Sequence, residues 1–81
     1  MKVRFFGSLS DRIGREIELT PPAAGCTIAE LRRSLAEAYP GAAAELARPT
    51  VRACVDDVIV PDTYLVSAQS RVAFFPPLSG G

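Results

Sequence analysis

Thr27-Ile28-Ala29-Glu30-Leu31-Arg32-Arg33-Ser34-Leu35-Ala36-Glu37-Ala38-Tyr39 carries the strongest helix signal in the chain, and the rest of the sequence arranges itself around it. Thr27 followed three residues later by Glu30 fits a capping box, in which each of the two satisfies a free backbone N–H at the helix start. Ile28, Leu31, Leu35 and Ala38 recur at helical spacing and define one apolar stripe, with Arg32, Arg33 and Glu37 off it. Pro40-Gly41 stops the helix. Residues 42–47 read as a second short helix before Pro49.

Strand patterns lie on both sides of this helix. Residues 2–6 alternate, so that Val3 and Phe5 share one face while Arg4 and Phe6 share the other. Gly7-Ser8 breaks the run, residues 9–13 form one helical turn, and Gly14 ends it. Residues 15–20 alternate again, with Ile17 and Leu19 inward, until Pro21-Pro22 forbids further strand. After the helix, residues 51–55 form a third strand and Asp56-Asp57 a tight turn. Residues 58–60 form a short fourth strand ended by Pro61. Residues 62–70 read as a loop with a turn of helix, and residues 71–75 as the last strand, closed by Pro76-Pro77. One helix across a mixed sheet of four to five strands is the economical way to bury both apolar faces. This is an α+β arrangement of the β-grasp, or ubiquitin-like, type. In it the first and last strands lie parallel in mid-sheet, and Val3, Phe5, Val72 and Phe74 face the helix stripe. The domain then spans residues 1–75, followed by a flexible tail, residues 76–81.

Composition narrows the partners. A chain of 81 residues, 48% of them hydrophobic, supports one packed core. Nine basic and nine acidic residues give a net charge of zero, which argues against nucleic acid or an anionic membrane as the main partner. Lys2 is the only lysine, so a tag that builds chains through its own lysines would have almost nothing to use. No charged-then-apolar leader precedes the first strand, and no apolar run approaches a membrane span, so a soluble, cytoplasmic protein is expected. Cys26 and Cys54 are too few and too far apart for a disulfide framework or a metal knuckle, and read as free thiols.

Catalytic inventories are nearly empty. The chain has no histidine, the commonest general base near neutral pH. No cluster has metal-ligand spacing, and no glycine loop cradles phosphate. Asp56-Asp57 is a carboxylate pair, but adjacent aspartates at a tight turn read first as turn residues. Cys26 lies just before the helix N-cap, where the positive end of the dipole would lower a thiol pKa. The plainer reading of both cysteines is as small hydrophobes, with Cys54 on the outer sheet face. The C-terminus is different. Pro76-Pro77-Leu78-Ser79-Gly80-Gly81 removes backbone donors, favours an extended path, and ends without side chains. Extended, it reaches ~20 Å. Such a tail threads a narrow channel and presents an unhindered carboxylate that ATP can activate. Phe75, on the opposite strand face from Val72 and Phe74, and Leu78 are the expected partner anchors.

These features add up to a resemblance. Residues 3–6, the helix start Thr27-Ile28-Ala29-Glu30-Leu31-Arg32, and the ending Val72-Ala73-Phe74-Phe75-Pro76-Pro77-Leu78-Ser79-Gly80-Gly81 resemble the MoaD/ThiS family, and within it the MoaD branch, the small sulfur-carrier subunit of molybdopterin synthase. The resemblance runs over the whole chain, and the Phe-Phe-Pro-Pro-x-Ser-Gly-Gly ending is its most specific part. Gln69-Ser70-Arg71 and Cys54-Val55-Asp56 depart from the acidic turn and the Ala-Val-Asn usual in the family.

The resemblance implies a carrier and no free-standing enzyme. An E1-like adenylating enzyme uses ATP to activate Gly81, and a desulfurase or rhodanese-type donor supplies the sulfur of a thiocarboxylate. The tail, through Pro76, Pro77, Leu78, Ser79 and Gly80, then threads into the large synthase subunit in a heterotetramer of two small and two large subunits. There the sulfur passes to cyclic pyranopterin monophosphate. No cofactor or metal is implied on the small subunit. Neighbouring readings are the sulfur carrier of thiamine synthesis, a carrier for another thiolation pathway, and a ubiquitin-like modifier that forms isopeptide bonds through Gly81.

Overall fold

The computed structural model of the chain describes residues 1–77. In chain order the elements are β1 (Lys2–Phe5), α1 (Ser8–Ile13), β2 (Glu16–Glu18), β3 (Cys26–Thr27), α2 (Ile28–Ala38), a 3-10 turn (Pro40–Ala42), α3 (Ala43–Leu46), β4 (Arg52–Val55), β5 (Val58–Val60), β6 (Leu65–Val66) and β7 (Arg71–Phe75). The main sheet has five strands in the order β2-β1-β7-β4-β5. β1 and β7 run parallel in its centre, with Val3 opposite Val72 and Phe5 opposite Phe74. The other pairings in this sheet, β1 with β2, β4 with β7 and β4 with β5, are antiparallel.

Alternation explains the core. Val3, Phe5, Val72 and Phe74 point inward from the two central strands and are almost wholly buried. They form one cluster with Ile28, Leu31 and Leu35 of α2, together with Leu9, Leu46, Val51 and Val66. The Phe5 and Phe74 rings stack with centroids 6.0 Å apart. α2 starts as its sequence dictates. Thr27 Oγ1 accepts the Glu30 backbone N–H at 3.1 Å, and Glu30 Oε1 accepts the Thr27 N–H at 2.9 Å. Asp56 and Asp57 both take positive φ, 49° and 70°, as the two central residues of a type I′ hairpin turn must, and join Val55 to its cross-strand partner Val58.

Two expectations are corrected. Ala38 is exposed rather than part of the buried stripe. The stripe ends at Leu35, and Ala36 and Tyr39 pack against the core edge in its place. The stretch after Asp62 holds a strand rather than a helical turn: β6 pairs antiparallel with β3, Cys26 opposite Val66 and Thr27 opposite Leu65. The approach is so close that a Cβ on Gly25 would lie 2.5 Å from the Val66 carbonyl oxygen. Arg32 is off the stripe, as its position predicts, yet far from free. Its guanidinium donates to the Leu46 and Val51 carbonyls and to Asp62 Oδ1, and lies 5.4 Å from the Phe74 ring centroid.

Candidate functional site

β7 is the strand that delivers the C-terminal residues, and its central place in the sheet fixes where they leave the domain. Phe74 is buried against the core, while Ala73 and Phe75 turn to the outer face and are half-buried. Arg52 of β4 lies opposite Phe75. Beyond β1 the parallel pairing continues for one more bond, Phe6 N–H to the Phe74 carbonyl at 3.1 Å. Pro76 and Pro77 then end the ladder, because neither has an N–H to give. Pro76 is half-buried and Pro77 exposed. Leu78, Ser79, Gly80 and Gly81, the remaining candidate residues, lie outside the described residues.

The outer face beside this exit is a shallow depression of about 480 Å³. Arg4, Ala73, Cys54 and Ile59 form one row across the sheet from β1 to β5. Phe6, 45% exposed, and Phe75 supply aromatic surface towards the tail end, while Arg4 and Arg71 supply positive charge and Asp56 and Asp57 negative charge. The Arg4 guanidinium lies 5.6 Å from the Phe6 centroid, and its Nε is 3.9 Å from Glu16 Oε1. The depression thus has an apolar floor and a rim of mixed charge, with the Cys54 thiol as its one nucleophilic side chain among the described residues. The sequence located Phe75 as part of this face. The contribution of Phe6 became visible only with the β1–β7 register.

The thiols and the aspartate pair are placed as follows. Cys26 is a buried residue of β3, opposite Val66 of β6. Its thiol pKa is raised, first by burial and then by the nearby Glu30 carboxylate, so the lowering expected from the helix dipole is overturned. Cys54 is half-exposed in the floor of the depression. Asp56 accepts the Arg71 backbone N–H through Oδ1 at 3.2 Å, a turn-holding contact at the mouth of the hairpin. Among the described residues, no group of three or more cysteine, aspartate or glutamate side chains is arranged to hold a metal ion. No described helix is long and apolar enough to cross a membrane.

Sheet order, the single main helix across it and the central parallel pair define a β-grasp, ubiquitin-like protein. The ThiS family profile matches residues 3–81, and the chain belongs to the ThiS family. No curated protein matches it significantly in sequence. Among solved structures it resembles small archaeal modifier protein 1 from Haloferax volcanii, with a TM-score of 0.77 and 17% identity, covering 99% of this chain and 97% of that one. It also resembles a Pyrococcus furiosus protein assigned as subunit 1 of a molybdopterin converting factor, with a TM-score of 0.73 and 23% identity, covering 95% of both chains. At these identities the likeness concerns the fold, which is that of the sulfur carriers of this family and of ubiquitin-like modifiers.

Proposed function

We propose that this chain carries sulfur on its C-terminal glycine as the small subunit of a molybdopterin synthase. The observation that supports the reading best is the placement of β7. This central strand ends at Pro76-Pro77 beside an aromatic face rimmed by arginines and aspartates, in a chain whose family match runs on through Gly81. A rigid domain thus launches a tail of residues 76–81. At its tip the Gly81 carboxylate is adenylated by an E1-like partner with ATP. The terminal sulfur of a persulfide donor, such as a cysteine desulfurase or a rhodanese, displaces AMP to form an acyl disulfide, and a second thiol of the loading machinery then attacks the donor's sulfur, closing a disulfide there and releasing the thiocarboxylate. Gly80 and Ser79 lack bulk and let the tip enter the active site of the large subunit, which supplies the catalytic side chains. There the sulfur passes to the pyranopterin precursor. Phe75 and Leu78 anchor the two partners. The heterotetramer of two small and two large subunits, and a cytoplasmic location, belong to the same proposal.

A second reading, conjugation of Gly81 to lysines of other proteins, draws on the likeness to the archaeal modifier. One experiment addresses both. The protein is purified from its own cells and its intact mass measured, with and without the activating enzyme, ATP and a sulfur source. A population heavier by the difference between sulfur and oxygen is the expected result. Covalent adducts with other proteins would favour the modifier. A chain extended past Gly81 that still gains the thiocarboxylate mass without trimming would refute the proposal at its central step.

A further inference from the structure

Gly7 lies two residues beyond β1 and is exposed, with φ +64° and ψ −143°, a conformation that side chains resist. The continued pairing of Phe6 with Phe74 brings the backbone of Gly7 alongside Pro76. A Cβ on Gly7 would lie 2.7 Å from Pro76 Cγ and 3.2 Å from Pro76 Cδ, so the proline ring rests against the bare Cα. The seat itself is held from behind. The Gly7 carbonyl accepts both the backbone N–H and the hydroxyl of Ser10, at 3.1 and 2.7 Å, and Leu9 is fully buried. Ser8 donates to Glu45 Oε2 at 2.6 Å, and Arg12 bonds the other oxygen of the same carboxylate, tying α1 to α3. The tail root therefore meets a fixed surface on its β1 side.

We propose that Gly7 is a positioning residue for the C-terminal tail. Its missing side chain lets the Pro76 ring dock on the end of β1, and this contact sets the direction in which the tail leaves the domain. The inference rests on the sulfur-carrier reading. Direction matters because the root acts as a lever: a tilt of about ten degrees moves the tip of a tail ~20 Å long by about 3 Å. Misplacing reacting atoms by ~1 Å costs on the order of a hundredfold in rate.

The experiment is steady-state loading by the activating enzyme, with ATP and a sulfur source, read by intact mass for wild type, Gly7→Val, Pro76→Ala and the double variant. The expected result is an unchanged KM for the carrier, because the docking face is intact, and a kcat lower by about tenfold or more in Gly7→Val. Pro76→Ala lowers kcat by itself, since it removes the ring that sits in the seat. The double variant lacks the ring atoms that the valine strikes but keeps the strain of a side chain at φ +64°, so it loses less than the sum of the two single losses. Wild type that fails to load refutes the carrier reading itself. If wild type loads, the positioning role is overturned by an unchanged kcat in Pro76→Ala, which introduces no strain at residue 7 and decides the matter even if Gly7→Val unfolds. It is equally overturned by a KM that rises in step with the fall in kcat, or by additive losses in the double variant.

Discussion

Replacing Arg32 with methionine tests how α2 is fastened to the segment that runs from α3 to the start of β4. The substitution keeps most of the apolar stem and removes every donor. In the native chain the Arg32 side chain is 12% exposed, and its guanidinium holds the Leu46 carbonyl at 2.7 Å, the Val51 carbonyl, and Asp62 Oδ1 at 3.0 Å. Hydrogen bonds from a charged donor contribute about 1.5–3 kcal/mol each. The two carbonyl bonds are taken at the low end, because water reaches part of the vacated site. The Asp62 pair is open to solvent on the carboxylate side and adds about 0–1 kcal/mol. The stacking on Phe74 adds about 0.5–2 kcal/mol, and the side-chain entropy released on removing the arginine offsets up to about 2 kcal/mol. The net expectation is a loss of about 3 kcal/mol. A domain of this size has on the order of 4–12 kcal/mol in all, and the loss should lower Tm by about 12–24 °C. Urea unfolding of wild type, Arg32→Met, Arg32→Lys and Asp62→Asn is the assay. Arg32→Lys, with one compact donor group, should fall between the first two, and Asp62→Asn should lose less than about 1 kcal/mol. If Arg32→Met loses under about 1 kcal/mol, or no more than Asp62→Asn, the carbonyl clamp does not hold these elements together.

Phe75→Ala should leave the fold intact and weaken binding to the large subunit and the activating enzyme by about tenfold or more, read by calorimetric titration; unchanged affinity for both removes Phe75 from the docking face. Exchanging Asp56-Asp57 for Asn-Gly supplies the preferred type I′ turn and keeps an acceptor for the Arg71 N–H, so the urea midpoint should rise with about 0.5–1 kcal/mol of added stability. Gly25→Ala should cost more than about 1 kcal/mol, because φ is +83° and the new Cβ would meet a backbone oxygen in the β3–β6 pair; a neutral result in the same assay would mean that this crossing yields easily. Glu30 is held below its ordinary pKa of 4.5 mainly by the Thr27 backbone N–H, and Glu45 mainly by the Ser8 hydroxyl. Both depressed values stabilise the fold above the unfolded-state pKa, so the urea midpoint should fall as pH drops from about 4.5 towards the folded values, and Glu30→Gln should flatten part of that fall.

The helix and the central strands were legible because their signals are local and periodic. Thr27 and Glu30 form their capping box within one turn, and Val3, Phe5, Val72 and Phe74 alternate over enough residues to declare a face. Asp56-Asp57 reads as a turn because few residues tolerate two consecutive positive φ values. β3 and β6 escaped because two-residue strands have no period to detect, and their pairing depends on a segment some forty residues away in sequence. Ala38 was read into the stripe because helical spacing alone does not show where the sheet beneath the helix ends.

The sequence by itself determined the fold class, the inward faces of the central strands and the composition of the tail residues 76–81, because each is written in residue types at short, regular spacing. Only the tertiary structure decided what depends on contacts between distant segments. Arg32 becomes a clamp once the end of α3 and the residue before β4 bring two carbonyls within its reach. Cys26 becomes a less acidic thiol because burial and a facing carboxylate outweigh the helix end that adjoins it. Gly7 and Pro76 stand far apart in the chain and meet only because the first and last strands run parallel, so the seat of the tail is a property of the assembled sheet.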